Sequence, residues 1–203
     1  MSADSAPTNL THHFLIAMPG LQDEAFNKTV VYLCEHNDRG ALGLIINKPS
    51  TLSLVELFDK VDLPLTRADL LDAPVFHGGP VQTERGFVLH EAVAEPTLNE
   101  RSGRQESVYA STLMIPGGLE MTTSRDVLEA LSNGSGPRKV LVTLGYAAWG
   151  QGQLESEIAE NAWLTVEADA SLIFDTPVAQ RYDRALGLLG LQAWMLSPDV
   201  GHA

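Results

Sequence analysis

Val140-Leu141-Val142-Thr143-Leu144-Gly145-Tyr146-Ala147-Ala148-Trp149-Gly150-Gln151-Gly152-Gln153-Leu154-Glu155 is the stretch on which the reading of this chain turns. The apolar run to Leu144 predicts a buried strand, and Gln153 to Asn161 predicts a helix. Strand, glycine-rich turn and helix is the layout in which backbone N–H groups converge on an anion or polar ligand. Gly145 and Gly150 have the spacing of the outer glycines of a P-loop, but Gln151 and Gly152 stand where lysine and serine or threonine are required. Gly150-x-Gly152 opens a dinucleotide fingerprint whose third glycine position holds Glu155, and a carboxylate in the first helical turn repels pyrophosphate. Two readings of the turn remain. It is a tight connection filled by Tyr146 and Trp149, or a recognition surface for a polar ligand or protein built from Tyr146, Trp149, Gly150, Gly152, Gln153 and Glu155.

The chain around this motif has 203 residues, enough for a sizeable core. It carries 26 acidic against 13 basic residues, a net charge of −13 that opposes bulk electrostatic binding to nucleic acid or anionic membranes. The single Cys34 excludes an intramolecular disulfide and fits a reducing compartment; in the alternating run Thr29 to Glu35 it reads as a packed strand residue. Met1 to Thr11 is polar, lacks a basic n-region and is followed by only a short apolar stretch, so it predicts neither a signal peptide nor an anchor. Residues 1–13 are expected to be a disordered segment ahead of a single domain over 14–203.

Along that domain, Phe14 to Met18, Thr29 to Glu35 and Ala41 to Asn47 predict strands, the last two joined by a hairpin at His36 to Gly40. Ser53 and Glu56 form a capping box for a helix reaching about Asp62, with Leu54, Leu57, Phe58 and Val61 on one face. Val75 to His77, Gly86 to Glu91, Val108 to Ile115, Leu119 to Thr122 and Trp163 to Glu167 read as extended, with Leu172 to Phe174 a further short apolar run. Ser124 starts a helix closed by Asn133-Gly134, and Thr176-Pro177 starts another over Val178 to Leu189. Asn99 to Glu106 is the most polar internal stretch and is expected to be a mobile loop. Hairpins followed by separated helices imply an α+β fold with a mixed sheet.

Candidate chemistry is sparse. His77-Gly78-Gly79-Pro80 resembles an oxyanion-hole segment, yet no Gly-x-Ser-x-Gly nucleophile elbow accompanies it. The other expectation for His77 is a hydrogen-bonded histidine at a strand end beside a cleft. No His-x-x-x-His or Cys-x-x-Cys spacing occurs, so no metal and no cofactor is expected. Gly78-Gly79 and Gly150-x-Gly152 are expected to meet at the ends of strands 75–77 and 139–144 and to frame one crevice.

Several long motifs then fall in order: Phe14-Leu15-Ile16-Ala17-Met18-Pro19, Asp23-x-x-Phe26, Glu35-His36, Gly40-Ala41-x-Gly43-Leu44-Ile45-Ile46-Asn47-Lys48-Pro49, His77-Gly78-Gly79-Pro80-Val81, Gly86-Phe87-Val88-Leu89-His90, Gly145-Tyr146-Ala147, Trp149-Gly150-x-Gly152-Gln153-Leu154-Glu155-x-Glu157 and Gly201-His202-Ala203. From about Phe14 onward the chain resembles the AlgH/YqgE family of bacterial proteins, departing at Ala148 and Thr29, where glycine and serine are expected. The resemblance implies a cytoplasmic protein with an α+β fold of two interlocked subdomains and no agreed catalytic residue. Some members are labelled transcriptional regulators, while no basic DNA-reading element is visible here. The expectation is therefore an indirect regulatory role through binding a partner protein or a small polar ligand, at His77, Gly78, Gly79 and the glycine/aromatic turn. The alternatives are an enzyme using His77 or His90 with Glu155 or Asp23, and a regulator that contacts DNA, which the acidic charge opposes.

Overall fold

The computed structural model describes residues 9–93, 97–98 and 105–196. Residues 1–8, most of the predicted mobile loop (99–104) and the closing Gly201-His202-Ala203 lie outside the described residues. In chain order the elements are β1 (His13–Ala17), β2 (Val30–Asn37), β3 (Gly40–Ile45), β4 (Pro49–Ser53), α1 (Leu54–Lys60), β5 (Pro74–His77), β6 (Val81–Glu91), β7 (Thr97–Leu98) and β8 (Gln105–Glu106). They continue with β9 (Thr112–Ile115), β10 (Leu119–Thr122), α2 (Arg125–Ser132), β11 (Val140–Gly150), α3 (Gln153–Ala159), β12 (Trp163–Glu167), α4 (Ala170–Phe174) and α5 (Arg181–Leu188).

Ten of these strands form one curled, mostly antiparallel sheet in the order β12-β1-β2-β3-β11-β6-β10-β9, with β5 parallel to β11 and β4 on β5. The fold is α+β, as the hairpin-then-helix pattern predicts. Strand β11 holds it together. On one edge it pairs with β6; on the other it pairs first with β5, at Thr143 and Leu144, and then with β3, from Ala147 to Gly150. The changeover falls at Gly145, which has φ +77° and interrupts the register with β6.

Three glycines make this changeover possible. The Gly78 N–H donates to Leu144 O (2.9 Å), and the Gly78 carbonyl accepts from Ile45 N (2.8 Å), tying the end of β5 to both β11 and β3. A Cβ on Gly78 would lie 2.2 Å from Gly145 O, and one on Gly79 (φ +155°) would lie 2.1 Å from the Tyr146 carbonyl carbon. The sequence reading ended this strand at Leu144 and put a turn after it. The strand instead runs on to Gly150, because Gly145 absorbs the bend as a bulge within the ladder rather than as a turn.

Apolar side chains then sort onto two faces. Phe14, Ile16, Tyr32, Leu44, Phe76, Leu89 and Leu141 fill the inside of the curl, which α4 and α5 close with Leu172, Ile173 and Leu186. Behind the β1–β2–β3 region, α3 packs Leu154 against Trp149 and Trp163. Behind the β5–β11–β6 region, α1 and α2 pack Leu54, Phe58, Val127 and Leu131 against Val75, Val88 and Val142. The Ser53–Glu56 capping box forms as predicted. The predicted helix from Val178 begins as a 3-10 turn, Val178–Gln180, before α5 takes over. Leu172 to Phe174 lies in α4, whose first turn is capped by the Asp169 carboxylate on Ser171 N. Leu10, assigned by sequence to the N-terminal segment, is buried beside Leu33 and Trp149.

The glycine joint sets a direct test. Gly79→Ala places a methyl into backbone at a φ that L-residues avoid, so a loss of about 4 kcal/mol or more is expected, roughly 10 °C or more in Tm. Thermal unfolding followed by circular dichroism checks it, and a Tm within a few degrees of the parent would show that the joint is not under this constraint.

Candidate functional site

The residues of the glycine/aromatic motif are held by one another. Trp149 is 5% exposed. Its indole N–H donates to Glu157 Oε2 at 2.9 Å, and the Trp163 indole donates to the same oxygen at 2.8 Å. Glu157 Oε1 accepts from Gln153 Nε2, and Gln153 Oε1 accepts from Gly150 N, closing the turn. Phe26 packs against both indoles, with ring centroids 6.0 and 5.5 Å away. The recognition-surface reading of the turn requires Trp149 to be partly exposed beside its polar neighbours. The structure corrects it, because Glu157 gives both buried indole donors an acceptor and lets the rings go inside. Sequence held a signal for this: Glu157 lies between two tryptophans in apolar segments, each with one N–H that needs a partner.

Glu155 is equally occupied. Its Oε1 lies 2.7 Å from His36 Nε2, while His36 Nδ1 accepts the Leu10 N–H at 2.9 Å, which makes Nε2 the protonated nitrogen. The N–H of its own helical turn, followed by the His36 ring, holds the Glu155 carboxyl below the usual carboxylate range. With both nitrogens engaged and the ring 4% exposed, His36 has no lone pair to offer a substrate. It ties Leu10, Thr11 and β2 to α3. Gly150, Gly152 and Gln153 are exposed beside it, and Gly152 (φ +71°) begins α3 without a side-chain cap. A shallow cavity of ≈ 240 Å³ lies next to this turn, lined by Glu35, Asn37, Arg39 and Trp149 among others.

The other candidates are dispersed. Gly78 and Gly79 pack against Gly145 and Tyr146, about 16 Å along β11 from Gly150 at a strand's rise per residue. Gly150 sits instead beside Gly40, so the predicted single crevice separates into two places. Tyr146 is half-buried, edge-on to Phe87 at 5.3 Å. His77 is exposed at the end of β5; its backbone N–H, rather than its ring, makes the strand-end bond, to Lys48 O at 2.8 Å. Asp23 caps its own turn through Ala25 N. His90 is fully buried, donating from Nδ1 to Glu91 O and accepting at Nε2 from Thr122 Oγ1. Burial also pushes the Cys34 thiol well above its ordinary value, as befits a packed strand residue. Among the described residues no group of three or more His, Cys, Asp or Glu could hold a metal ion.

Sequence reasoning missed one place. Between α1 and α2, on the outer face of β11 and β6, is a cavity of ≈ 270 Å³. Its floor is Val142, Leu144, Val88 and Gly86; Leu57, Val61 and Leu128 form the walls; Glu84, Arg85 and Arg125 stand at the edge. Gly86 opens it, since a Cβ built there meets nothing within 4 Å. Leu144 is the register partner of both Gly86 and His77, so His77 projects from this same face one strand over. Arg125 crosses the space between the helices, donating from Nη2 to Val61 O at 2.8 Å and from Nε to Glu129.

Two measurements check these roles. Trp149→Ala is expected to cost about 3–5 kcal/mol in chemical denaturation, the penalty for truncating a buried aromatic. His90 has its pKa lowered by burial, so the unfolded chain takes up that proton more readily and stability falls as pH drops below the ordinary histidine value of 6.5. His90→Gln should flatten the decline in Tm between about pH 7 and pH 5; an unchanged slope would assign it to other groups.

Comparison with known proteins agrees with this architecture. A solution structure of the AlgH protein from Pseudomonas aeruginosa superposes with a TM-score of 0.73 at 46% identity, covering 98% of each chain. A crystal structure of a Corynebacterium diphtheriae protein shares the fold at 18% identity, with a TM-score of 0.66 over 92% of this chain and 93% of that one. UPF0301 proteins of Paracidovorax citrulli and Polaromonas sp. are 71% and 72% identical over the whole of both chains. A family model described as AlgH-like matches residues 14–194, and the chain belongs to the AlgH-like family.

Proposed function

We propose that this protein works by binding a partner protein, and that any regulatory effect is the indirect result of that binding. The observation that carries the reading is the cavity between α1 and α2, apolar within and charged at its edge. At ≈ 270 Å³ it is below the usual range of roughly 300–1,000 Å³ for small-molecule and cofactor pockets, and suits one large apolar side chain. Interfaces commonly centre on such an anchor in a desolvated pocket ringed by polar contacts. Arg85 and Arg125 favour a partner with acidic residues beside the anchor, and exposed His77, next to Gly78 and Gly79, extends the rim.

In this reading Tyr146, Trp149, Gly150, Gly152, Gln153 and Glu155 are the scaffold of the site's long strand and its following helix. Catalysis has less support. His36 and His90 have both ring nitrogens committed, and exposed His77 is not paired with a carboxylate among the described residues. Direct DNA contact is opposed by the −13 charge. A cytoplasmic location is part of the proposal; what bears on it is that no described helix is long and apolar enough to cross a membrane.

Gly86→Leu provides the test, because it fills the cavity from an exposed, unstrained strand position. Displayed peptides selected on the parent protein are expected to carry a large apolar residue with acidic neighbours. They should bind Gly86→Leu at least tenfold more weakly, about 1.4 kcal/mol, while its Tm stays near the parent's. Equal binding to both proteins would overturn the reading.

A further inference from the structure

The edge of β6 is open beside the cavity between α1 and α2. β10 pairs with β6 only from Val88 to Glu91, because after Thr122 the chain leaves the sheet and begins α2 at Ser124. On the other side β11 pairs with β6 at Gly86 and next at Val81, so Gln82 to Arg85 have no register partner there. Residues 82–86 are all exposed. We propose that the partner binds here as an extended strand, antiparallel to β6 and continuing the line of β10, with its large apolar side chain entering the cavity over Gly86. This rests on the partner-binding reading of the cavity and adds to it the conformation of the bound segment.

The direction of the backbone groups decides the mode. Successive residues of an antiparallel strand turn their N–H and C=O alternately to its two neighbours. Glu91 N donates to Lys139 O, at the start of β11, whereas Ala92 N donates to Gly118 O, at the start of β10. Counting back by twos from Ala92, His90 and Val88 face β10. Gly86 turns its N–H and carbonyl to the same side, past the point where β10 has ended. Among the described residues the Gly86 backbone makes no hydrogen bond on that side. An exposed donor and acceptor on a strand edge are what an added strand satisfies. A docked helix has its backbone groups bonded internally and leaves them open.

Side-chain alternation places the rest. The residue opposite Gly86 projects from the same face of the sheet as Val88 and Leu144, which floor the cavity, and no Gly86 side chain stands in its way. The next residue of the added strand lies opposite Arg85 and projects from the other face. Arg85 is on that face, since its guanidinium lies 5.7 Å from the Phe87 ring and Phe87 packs inside the curl. Its other contacts are uncharged, Gln82 Oε1 at 3.3 Å and Thr123 Oγ1 at 3.4 Å, so it is available to a carboxylate opposite it. On the anchor's own face Glu84 stands at the cavity rim and opposes a second acidic group. The sequence that fits is therefore a large apolar residue followed directly by Asp or Glu.

Peptides selected by display on the parent protein are the probe. In ¹H–¹⁵N spectra the Gly86 amide should exchange rapidly with solvent in the free protein, and at least about tenfold more slowly with saturating peptide. N-methylation of the peptide's anchor residue should weaken binding about tenfold. Methylation of the following residue, whose N–H points to solvent, should cost less than about threefold. Gly86→Pro removes the open N–H at a strand edge where the fold does not use it, so binding should weaken about tenfold with a Tm near the parent's. Gly86→Ala keeps the N–H and should bind within about threefold of the parent. Unchanged Gly86 exchange on binding, equal losses on methylating either residue, or equal binding by the proline and alanine variants would each overturn the proposal. Should Gly86→Pro lower the Tm, the two methylated peptides on the parent protein decide alone. These failures would leave weakened binding by Gly86→Leu, and with it the cavity reading, intact; equal binding by Gly86→Leu would remove both.

Discussion

Everything in this molecule hangs on the close passage of Gly78 and Gly79 against Gly145 and Tyr146. One strand, β11, has to serve two regions of sheet that curl away from each other, and it can do so only if β5 hands its edge over to β3 within two residues. The handover is made by the Gly78 peptide, whose N–H binds β11 and whose carbonyl binds β3. Side chains at this crossing would separate the backbones and leave those polar groups unpaired in the interior, a cost of roughly 1–3 kcal/mol for each group. What resembles an oxyanion-hole segment in the sequence is therefore a structural joint, and both motifs that contribute to it answer to the same steric demand.

The glycine/aromatic turn follows from that joint. Because β11 continues past Gly145, Trp149 reaches the back of the sheet and meets Trp163 and Phe26 from separate parts of the chain. Two indole N–H groups in that cluster need an acceptor, and Glu157 reaches both from α3 with one oxygen. The acidic residues after the turn thus satisfy buried donors and hold the helix down. Glu155 performs the same service for His36, and through it for Leu10. A run of polar residues that reads as a recognition surface is consumed in assembling three distant segments.

What the sequence disclosed, and what it hid, divide along the range of the interactions. Local signals read correctly: the Ser53–Glu56 capping box, the hairpin between β2 and β3 and the apolar runs of β1, β5 and β10. Each is decided within a few residues. The end of β11 did not, because Gly145 looks like a turn until β6 and β3 are known to lie on its two edges. The burial of Trp149 needs Glu157 and Trp163 in place, and the α4 helix needs its Asp169 cap to be weighed against the strand-like Leu172-Ile173-Phe174. The cavity between α1 and α2 was invisible for the same reason. It arises from an absence of side chain at Gly86, and an absence has meaning only once its neighbours are known.

Charge gives the last step of the argument. A net charge of −13 raises the energy of bringing any further anion to the surface, so the chain as a whole offers acidic groups no general attraction. Local exceptions then matter more than the total. Of the thirteen basic residues, Arg67, Arg125 and Lys139 are ion-paired with carboxylates of the chain itself. Arg85, at the edge of the cavity between α1 and α2, has no carboxylate within ion-pair reach among the described residues and contacts Gln82, Thr123 and the face of Phe87 instead. There the cation borders apolar surface, where the effective dielectric is lower and one charge counts for more than on an open face. An acidic molecule with its unpaired positive charge confined to such points repels polyanions from most directions, which is the opposite of the continuous basic face that a nucleic-acid surface requires.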